Sequence, residues 1–212
     1  MTIKLGCIVA AASLLLAACS DGGGNDGPTR AEDSVVDTTP DGPDDPQESE
    51  APGGFGTYAG TTAEGADVEI SLPPDEDHAD DVAEVESVRE TFEALGADIG
   101  AVSYATVTVD NTGGDEQTFF SEFSVVTADG DTVRFEPVWI LVGDWQDLLV
   151  WEDDPEIDAA FSEATRVYNA HLDDGTDALP GARGTGLYAA NADLESPARV
   201  FLQDARQLEP TG

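Results

Sequence analysis

Apolar residues crowd positions 5–18, almost vanish between 20 and 54, and then return in short periodic runs to the end of the chain. The late runs define the folded part. "VEISLP", from Val68, predicts a strand that Pro73-Pro74 stops. "DHADDVAEVESVRETFEALG" places Val82, Val85, Val88, Phe92 and Leu95 three and four apart with carboxylates between them, which predicts an amphipathic helix capped by Asp77 and ended at Gly96. "AVSYATVTVDN" carries apolar or small residues on both faces, as a strand buried within a sheet does, and Asn111-Thr112-Gly113-Gly114 turns the chain after it.

In "TFFSEFSVVTADGDTVRFEPVW", Phe119, Phe123 and Val125 share one expected face. After Asp129-Gly130, Val133 and Phe135 alternate with Thr132, Arg134 and Glu136, so the segment reads as a hairpin with one face in a core. "DDPEIDAAFSEATRVYNAHL" predicts a helix with Asp154 as N-cap and Pro155 at its first position. Its expected inward side chains are Ile157, Phe161, Ala164, Val167 or Tyr168, and Leu172. "GTGLYAAN" and "ARVFLQD" are the last two strand candidates. Six or seven short strands with local turns and only one or two helices predict a mainly β antiparallel sandwich with helical insertions, not a parallel α/β sheet.

Before this domain, residues 20–54 hold many Gly, Pro, Asp and Glu and almost no large apolar side chains, and so cannot build a core. They read as a disordered acidic tether of roughly 34 residues with a random-coil reach of about 30–35 Å. "DGGGNDG" and "DGPDDP" match neither an EF-hand loop nor a calcium-binding nonapeptide repeat.

The first 18 residues read as an export signal: Lys4 supplies positive charge, and "LGCIVAAASLLL" is apolar but too short to span a bilayer. It ends in Leu16-Ala17-Ala18-Cys19, which resembles the lipobox of prokaryotic lipoproteins. The resemblance implies peptidase recognition through Leu16, Ala17 and Ala18, cleavage before Cys19, and a diacylglycerol on the Cys19 sulfur. Two or three acyl chains, at about 0.8 kcal/mol per buried methylene, make a lasting anchor where one does not. Cys7 then leaves with the signal and Cys19 is consumed by lipid, so no disulfide or thiolate metal site is expected. The resulting organisation is a signal at 1–18, a lipidated cysteine and tether at 19–54, and a β domain at 55–212.

Charge narrows the partners. With 45 acidic and 8 basic residues the formal net charge is -37, which excludes nucleic acid as an expected ligand because phosphate backbones select Lys/Arg surfaces. Lys4 is the only lysine of the chain, a pattern that suits a high-salt habitat or a composition bias.

The turn-rich stretches "VTVDNTG" at 107–113, "FSEFSVVTADGDTV" at 120–133 and "LPGARGTGLYAA" at 179–190 resemble an immunoglobulin-like domain family of Gram-positive and archaeal surface lipoproteins. That resemblance implies an immunoglobulin-like sandwich on the extracytoplasmic face of the cell membrane, of mostly unknown function. The two cysteines that bracket a tryptophan in immunoglobulin domains are missing. Pro180-Gly181 suits the centre of a type II turn, and Gly184 and Gly186 permit close backbone approach.

Candidate chemistry is sparse. No G-x-S-x-G elbow, H-E-x-x-H helix, phosphate loop or dinucleotide fingerprint occurs, and carboxylates are too abundant for any pair to signal a glycosidase. His78 and His171 each sit among carboxylates, as a metal site would require, but an exposed position near a helix end explains both. In "VWILVGDWQDLLVW", Trp139, Trp145 and Trp151 recur every six residues, and an extended segment would align them as a stacking platform for envelope glycans or an apolar partner surface. The competing expectation is that Gly143-Asp144 breaks the segment and the indoles pack inward. The sequence therefore predicts a lipoprotein with no cofactor and no enzymatic role, bound to membrane lipid through Cys19 and to an unidentified envelope protein or glycan. The alternatives are a lipoprotein that captures a sugar, peptide or cation for a transporter or sensor, and an envelope hydrolase built on a pocket around His171.

Overall fold

A computed structural model describes residues 54–150, 154–172 and 177–211. The signal, Cys19 and the tether lie outside these residues. Within them, the β-branched and aromatic runs form eight strands: β1 (Gly56–Thr61), β2 (Asp67–Leu72), β3 (Ser103–Asp110), β4 (Phe123–Thr127), β5 (Thr132–Pro137), β6 (Arg183–Ala190), β7 (Pro197–Leu202) and β8 (Glu209–Pro210). Each is antiparallel to its neighbours in the order β7-β4-β5-β6-β3-β2-β1-β8.

The two outer strands of that order belong to one continuous tail. After β7 the chain turns, Phe201 bridges back to Gln207, and Glu209 then lies opposite Ala59 of β1. The sheet therefore nearly closes on itself, as a flattened barrel does, and exposes little unpaired edge. The mainly β class with helical insertions holds. The short, glycine-containing β1 and the two-residue β8 go beyond the strands expected from the sequence.

Alternation along the strands sends one set of side chains into the enclosed core. Ile70, Val107, Phe123, Phe135, Tyr188 and Val200 are buried there, with Phe123 stacked on Phe135 at 4.7 Å between ring centroids. The Tyr188 hydroxyl, placed among apolar side chains, donates to the carbonyl of Phe120 at 2.5 Å.

β3 and β6 also bury their outer face, as the doubly apolar pattern of "AVSYATVTVDN" predicted. Three helices cover it: α1 (Ala79–Ala94), α2 (Val138–Gln146) and α3 (Pro155–Leu172). Val85, Val88 and Phe92 of α1 and Val142 and Trp145 of α2 join Leu187 and Ala189 of β6 in this second core. α1 ends as expected: Gly96 takes a left-handed φ of 103°, and the amides of Gly96 and Ala97 return to the carbonyls of Glu93 and Phe92. Asp154 caps α3, its Oδ1 accepting from the amide of Glu156 at 2.8 Å.

Four expectations are corrected. Asp77 is not the cap of α1; it lies in a preceding 3₁₀ turn, Glu76–His78, and no side chain caps the helix start. The stretch from Val138 is helix rather than a broken or extended segment, because Val138, Leu141, Val142 and Trp145 follow helical spacing and are all buried. α3 buries Ala160, Ala164, Val167 and His171 while Leu172 is 45% exposed, so its inward stripe is rotated from the expected one. Phe119 is 63% exposed and its neighbour Phe120 is buried, since the hairpin strand starts only at Phe123.

Candidate functional site

The helix that replaces the extended segment decides the fate of the tryptophan platform. Six residues advance a helix by about 600°, so Trp139 and Trp145 leave α2 in different directions. Trp145 is fully buried and donates its indole N–H to Asn191 Oδ1 at 3.2 Å. Trp139 is half-buried and meets Tyr168 of α3 edge-on at 5.6 Å. These two indoles form no common face, and Trp151 lies outside the described residues, as do Leu16, Ala17, Ala18 and Cys19.

The histidines are also held apart. His78 precedes α1, and His171 is 4% exposed in the last turn of α3, buried rather than at the surface. Among the described residues no group of three or more His, Cys, Asp or Glu side chains is arranged to hold a metal ion.

One ionic cluster is well organised. Tyr104 of β3 donates to Glu86 Oε1 at 2.6 Å, and Arg89 donates to Glu86 Oε2 at 2.7 Å and to Glu93 Oε1 at 2.9 Å. Burial works against the Glu86 charge, yet the bonds from Arg89 and Tyr104 and the Arg89 charge hold its carboxyl below the usual range. Burial, and then the bond to Glu86, pushes the Tyr104 phenol up. An acid held ionised and a phenol held protonated have no proton to exchange near neutrality. The cluster therefore locks α1 onto β3.

The other concentration of unusual side chains sits at one pole of the sheet. The pairings Thr61 with Asp67, Asp67 with Asp110, and Asp110 with Arg183 bring together the loop 62–66, the loop 111–122 and the loop 177–182. Arg206 adds the turn after β7 by donating to the carbonyls of Thr61 and Thr62 at 3.0 and 2.8 Å. Gly54, where the described chain begins, is at the opposite end of β1.

A buried asparagine pins these loops. The side-chain amide of Asn111 donates to the carbonyls of Glu116 and Ala178 at 2.7 and 2.9 Å, while the main-chain carbonyl of Asn111 accepts from the amides of Gly114 and Gly181. Thr118 and Ala178 exchange both backbone hydrogen bonds. Pro180-Gly181 makes the expected turn: the amide of Ala182 returns to the carbonyl of Leu179, and Gly181 has a φ of 79°. On this fixed support Phe119 and Leu179 stand 63% and 57% exposed. The sequence held a signal for the first: consecutive aromatics in an extended chain cannot both face one core, so either Phe119 or Phe120 had to point outward.

Beside Phe119 a cleft of about 60 Å³ opens between the loop 62–64, Phe120 and the turn Leu202-Gln203-Asp204. A broader, shallow groove of about 490 Å³ runs over the polar outer face of β1, β2, β3 and β6, lined by Asp67, Glu69, Asp110 and Arg183 among others. Within it Thr61 donates to Asp67, while Thr108 meets Thr185 at 3.0 Å and Asp110 accepts from Thr112 beside it.

No protein-family model matches the chain, and no curated protein matches its sequence. Among solved structures the chain is similar to MPT63, a secreted protein from Mycobacterium tuberculosis, with 15% identity and a TM-score of 0.32 over 72% of this chain and 88% of that one. A likeness of that size assigns neither function nor location to this chain.

Proposed function

We propose that this chain is a lipoprotein held by Cys19 on the extracytoplasmic face of the cell membrane, whose β domain is a non-catalytic binding or structural module. The observation that carries the binding role is the pole bearing Phe119 and Leu179. Two large apolar side chains are exposed on loops that buried hydrogen bonds hold in place, so association there orders little that is not already ordered. The anchor rests on the run from Lys4 through Leu16-Ala17-Ala18-Cys19, and kinship with the immunoglobulin-like surface domains rests on the turn-rich stretches at 107–113, 120–133 and 179–190.

Two experiments test this reading. Metabolic labelling with a radioactive fatty acid is expected to mark the chain and to fail in Cys19→Ser, which should leave the membrane fraction; an unlabelled wild-type chain sinks the anchor. Immobilised full chain is expected to retain an envelope protein that the Phe119→Ser/Leu179→Ser double variant does not retain. Equal retention by both removes the pole from the binding role.

The alternative of ligand capture for a transporter or sensor is favoured by the outer-face groove, whose volume suits a small ligand. Arg183 projects there as an exposed guanidinium outside every ion pair of the described residues. Loss of sugar or peptide binding in Arg183→Ala, with the Phe119/Leu179 variant unaffected, selects that alternative.

A further inference from the structure

The cleft beside Phe119 is far smaller than the ~300–1,000 Å³ that a free small molecule occupies. At about 60 Å³ it admits part of one side chain. Its surfaces are of two kinds. Ala63, Phe119, Phe120 and Leu202 give it apolar surface, while Thr62, Glu64, Gln203 and Asp204 give it polar surface.

Each wall is fixed from behind. The loop carrying Ala63 and Glu64 is closed by bonds between Thr62 and Ala66, including Ala66 N–H to Thr62 Oγ1 at 3.2 Å. Phe120 packs edge-on against Tyr188 at 5.8 Å, and the amide of Leu202 donates to the carbonyl of Arg206 at 2.8 Å. The two carboxylates differ. Asp204 is paired with Arg206 at 3.0 Å, whereas Glu64 has no hydrogen bond or ion pair among the described residues.

We propose that this cleft seats one lysine or arginine side chain of a partner protein, its methylene stem against Phe119 and Leu202 and its charge toward Glu64. A cleft lined by apolar side chains together with an unpaired carboxylate matches a side chain that is apolar along its stem and cationic at its tip. The exposed Phe119 ring adds cation–π attraction. A second copy of this chain is a poor donor. Its formal net charge of -37 repels a like copy, its only lysine is Lys4, Arg89, Arg134, Arg166 and Arg206 are held in ion pairs, and the exposed Arg183 stands among the carboxylates of its own groove. Charge complementarity therefore points to a different, basic protein. The inference rests on the binding-module reading and names the partner chemistry for that pole.

The test is a titration of the ¹⁵N-labelled full chain with acetyl-Ala-Lys-Ala-amide and its arginine counterpart, followed by amide chemical shifts. The norleucine and glutamate peptides serve as controls. A chain this acidic attracts cations everywhere, so the location of the shifts decides, not the affinity. The expected result is saturable shifts at 62–64, 119–120 and 202–204 with Lys and Arg, and little effect from the controls. Glu64→Gln and Phe119→Ala should each weaken those shifts about tenfold, equivalent to ~1.4 kcal/mol, while Asp204→Asn does less. Unperturbed spectra of the two variants elsewhere in the domain confirm that each remains folded.

Equal binding of norleucine, or shifts confined to the groove at Asp67, Glu69 and Asp110, overturns the proposal. In either case an envelope protein lost on the Phe119/Leu179 double variant would still uphold the binding module. Failure of that capture with intact lysine binding would instead reject the module while leaving the cleft chemistry in place.

Discussion

The β3–β6 wall is buried on both faces, but by different means. Its inner face is closed by other strands: Phe123 and Phe135 from the β4–β5 hairpin, Ile70 from β2 and Val200 from β7 meet Val107 and Tyr188. Its outer face is closed by three helical insertions, with α1 leaving β2, α2 leaving β5 and α3 following α2. Apolar burial dominates the inner core, where the Tyr188 hydroxyl has a bond to the Phe120 carbonyl. The outer layer is also tied by side-chain polar contacts: Tyr104 to Glu86, Trp145 to Asn191, and Arg166 of α3 to Glu84 of α1. An enclosed sheet takes its register from backbone pairing, whereas a helix laid on a sheet can slide and needs directional bonds to fix its position. Where the helices stop, the outer face becomes polar, and Glu69, Thr108 and Asp110 line the open groove.

The strongest challenge to this contrast is truncation of one large side chain in each core. Phe123→Ala and Trp145→Ala are each expected to cost about 3–5 kcal/mol, the range for a buried aromatic. Because β3 and β6 belong to both cores, the two variants should still unfold in single transitions, with far-UV circular dichroism and tryptophan fluorescence coinciding in urea. Non-coincident curves for Trp145→Ala alone would mean that the helical layer detaches from a surviving sheet.

The inner core was the more legible of the two. Alternation at Val133 and Phe135, the Asp129-Gly130 turn and the doubly apolar "AVSYATVTVDN" all report backbone geometry directly. The outer layer is less legible because its helices are short or rotated by tertiary contact. The spacing of Val138, Leu141, Val142 and Trp145 is helical, yet Gly143 and the even tryptophan interval suggested otherwise. Gly143 does not break α2: it lies within the helix beside Tyr168 of α3, whose ring atoms are at an ordinary contact distance of 3.5 and 3.8 Å from where a Cβ would stand. In α3, Ala160 and His171 take the places of the expected Ile157 and Leu172 on the buried stripe; no single-helix pattern reveals such an adjustment. The pole was hidden for another reason. Phe119 and Leu179 look like core residues by composition, and only the start of β4 and the Thr118–Ala178 bridge turn them outward.

Asn111→Ala probes the support of that pole. It removes the side-chain bonds to the loop carbonyls of Glu116 and Ala178, the second of them buried, and is expected to cost about 2 kcal/mol. The loss should appear as faster amide exchange at 112–118 and 178–182, while the helical layer keeps its protection. Uniform loosening of the whole domain would show that the pole and the wall are one cooperative unit.

A smaller effect separates the outer layer by pH. Glu86→Gln keeps the shape but loses the charge that Arg89 and Tyr104 stabilise, at an expected cost of about 1–2 kcal/mol near neutrality. The folded Glu86 carboxyl is held below its ordinary pKa, so its contribution is present above the unfolded value and is lost as pH falls through the folded one. The wild-type advantage should therefore shrink on acidification. A constant difference between the melts across that range would assign the effect to packing instead of charge.

The smallest expected change is the most informative about function. Phe119→Ser removes a large aromatic, yet its ring is mostly in solvent and the chain around it is held by Thr118 and Phe120, so stability should change by no more than about 0.5 kcal/mol. Phe120→Ser, one residue away, empties the site against Tyr188 and should destabilise several-fold more. If Phe119→Ser matches Phe120→Ser in the urea midpoint, Phe119 is a structural lid on the cleft and its exposure carries no meaning for binding. If it is neutral, the domain displays an aromatic ring that its own stability does not require, and the reason for that ring must be sought in what it meets from outside.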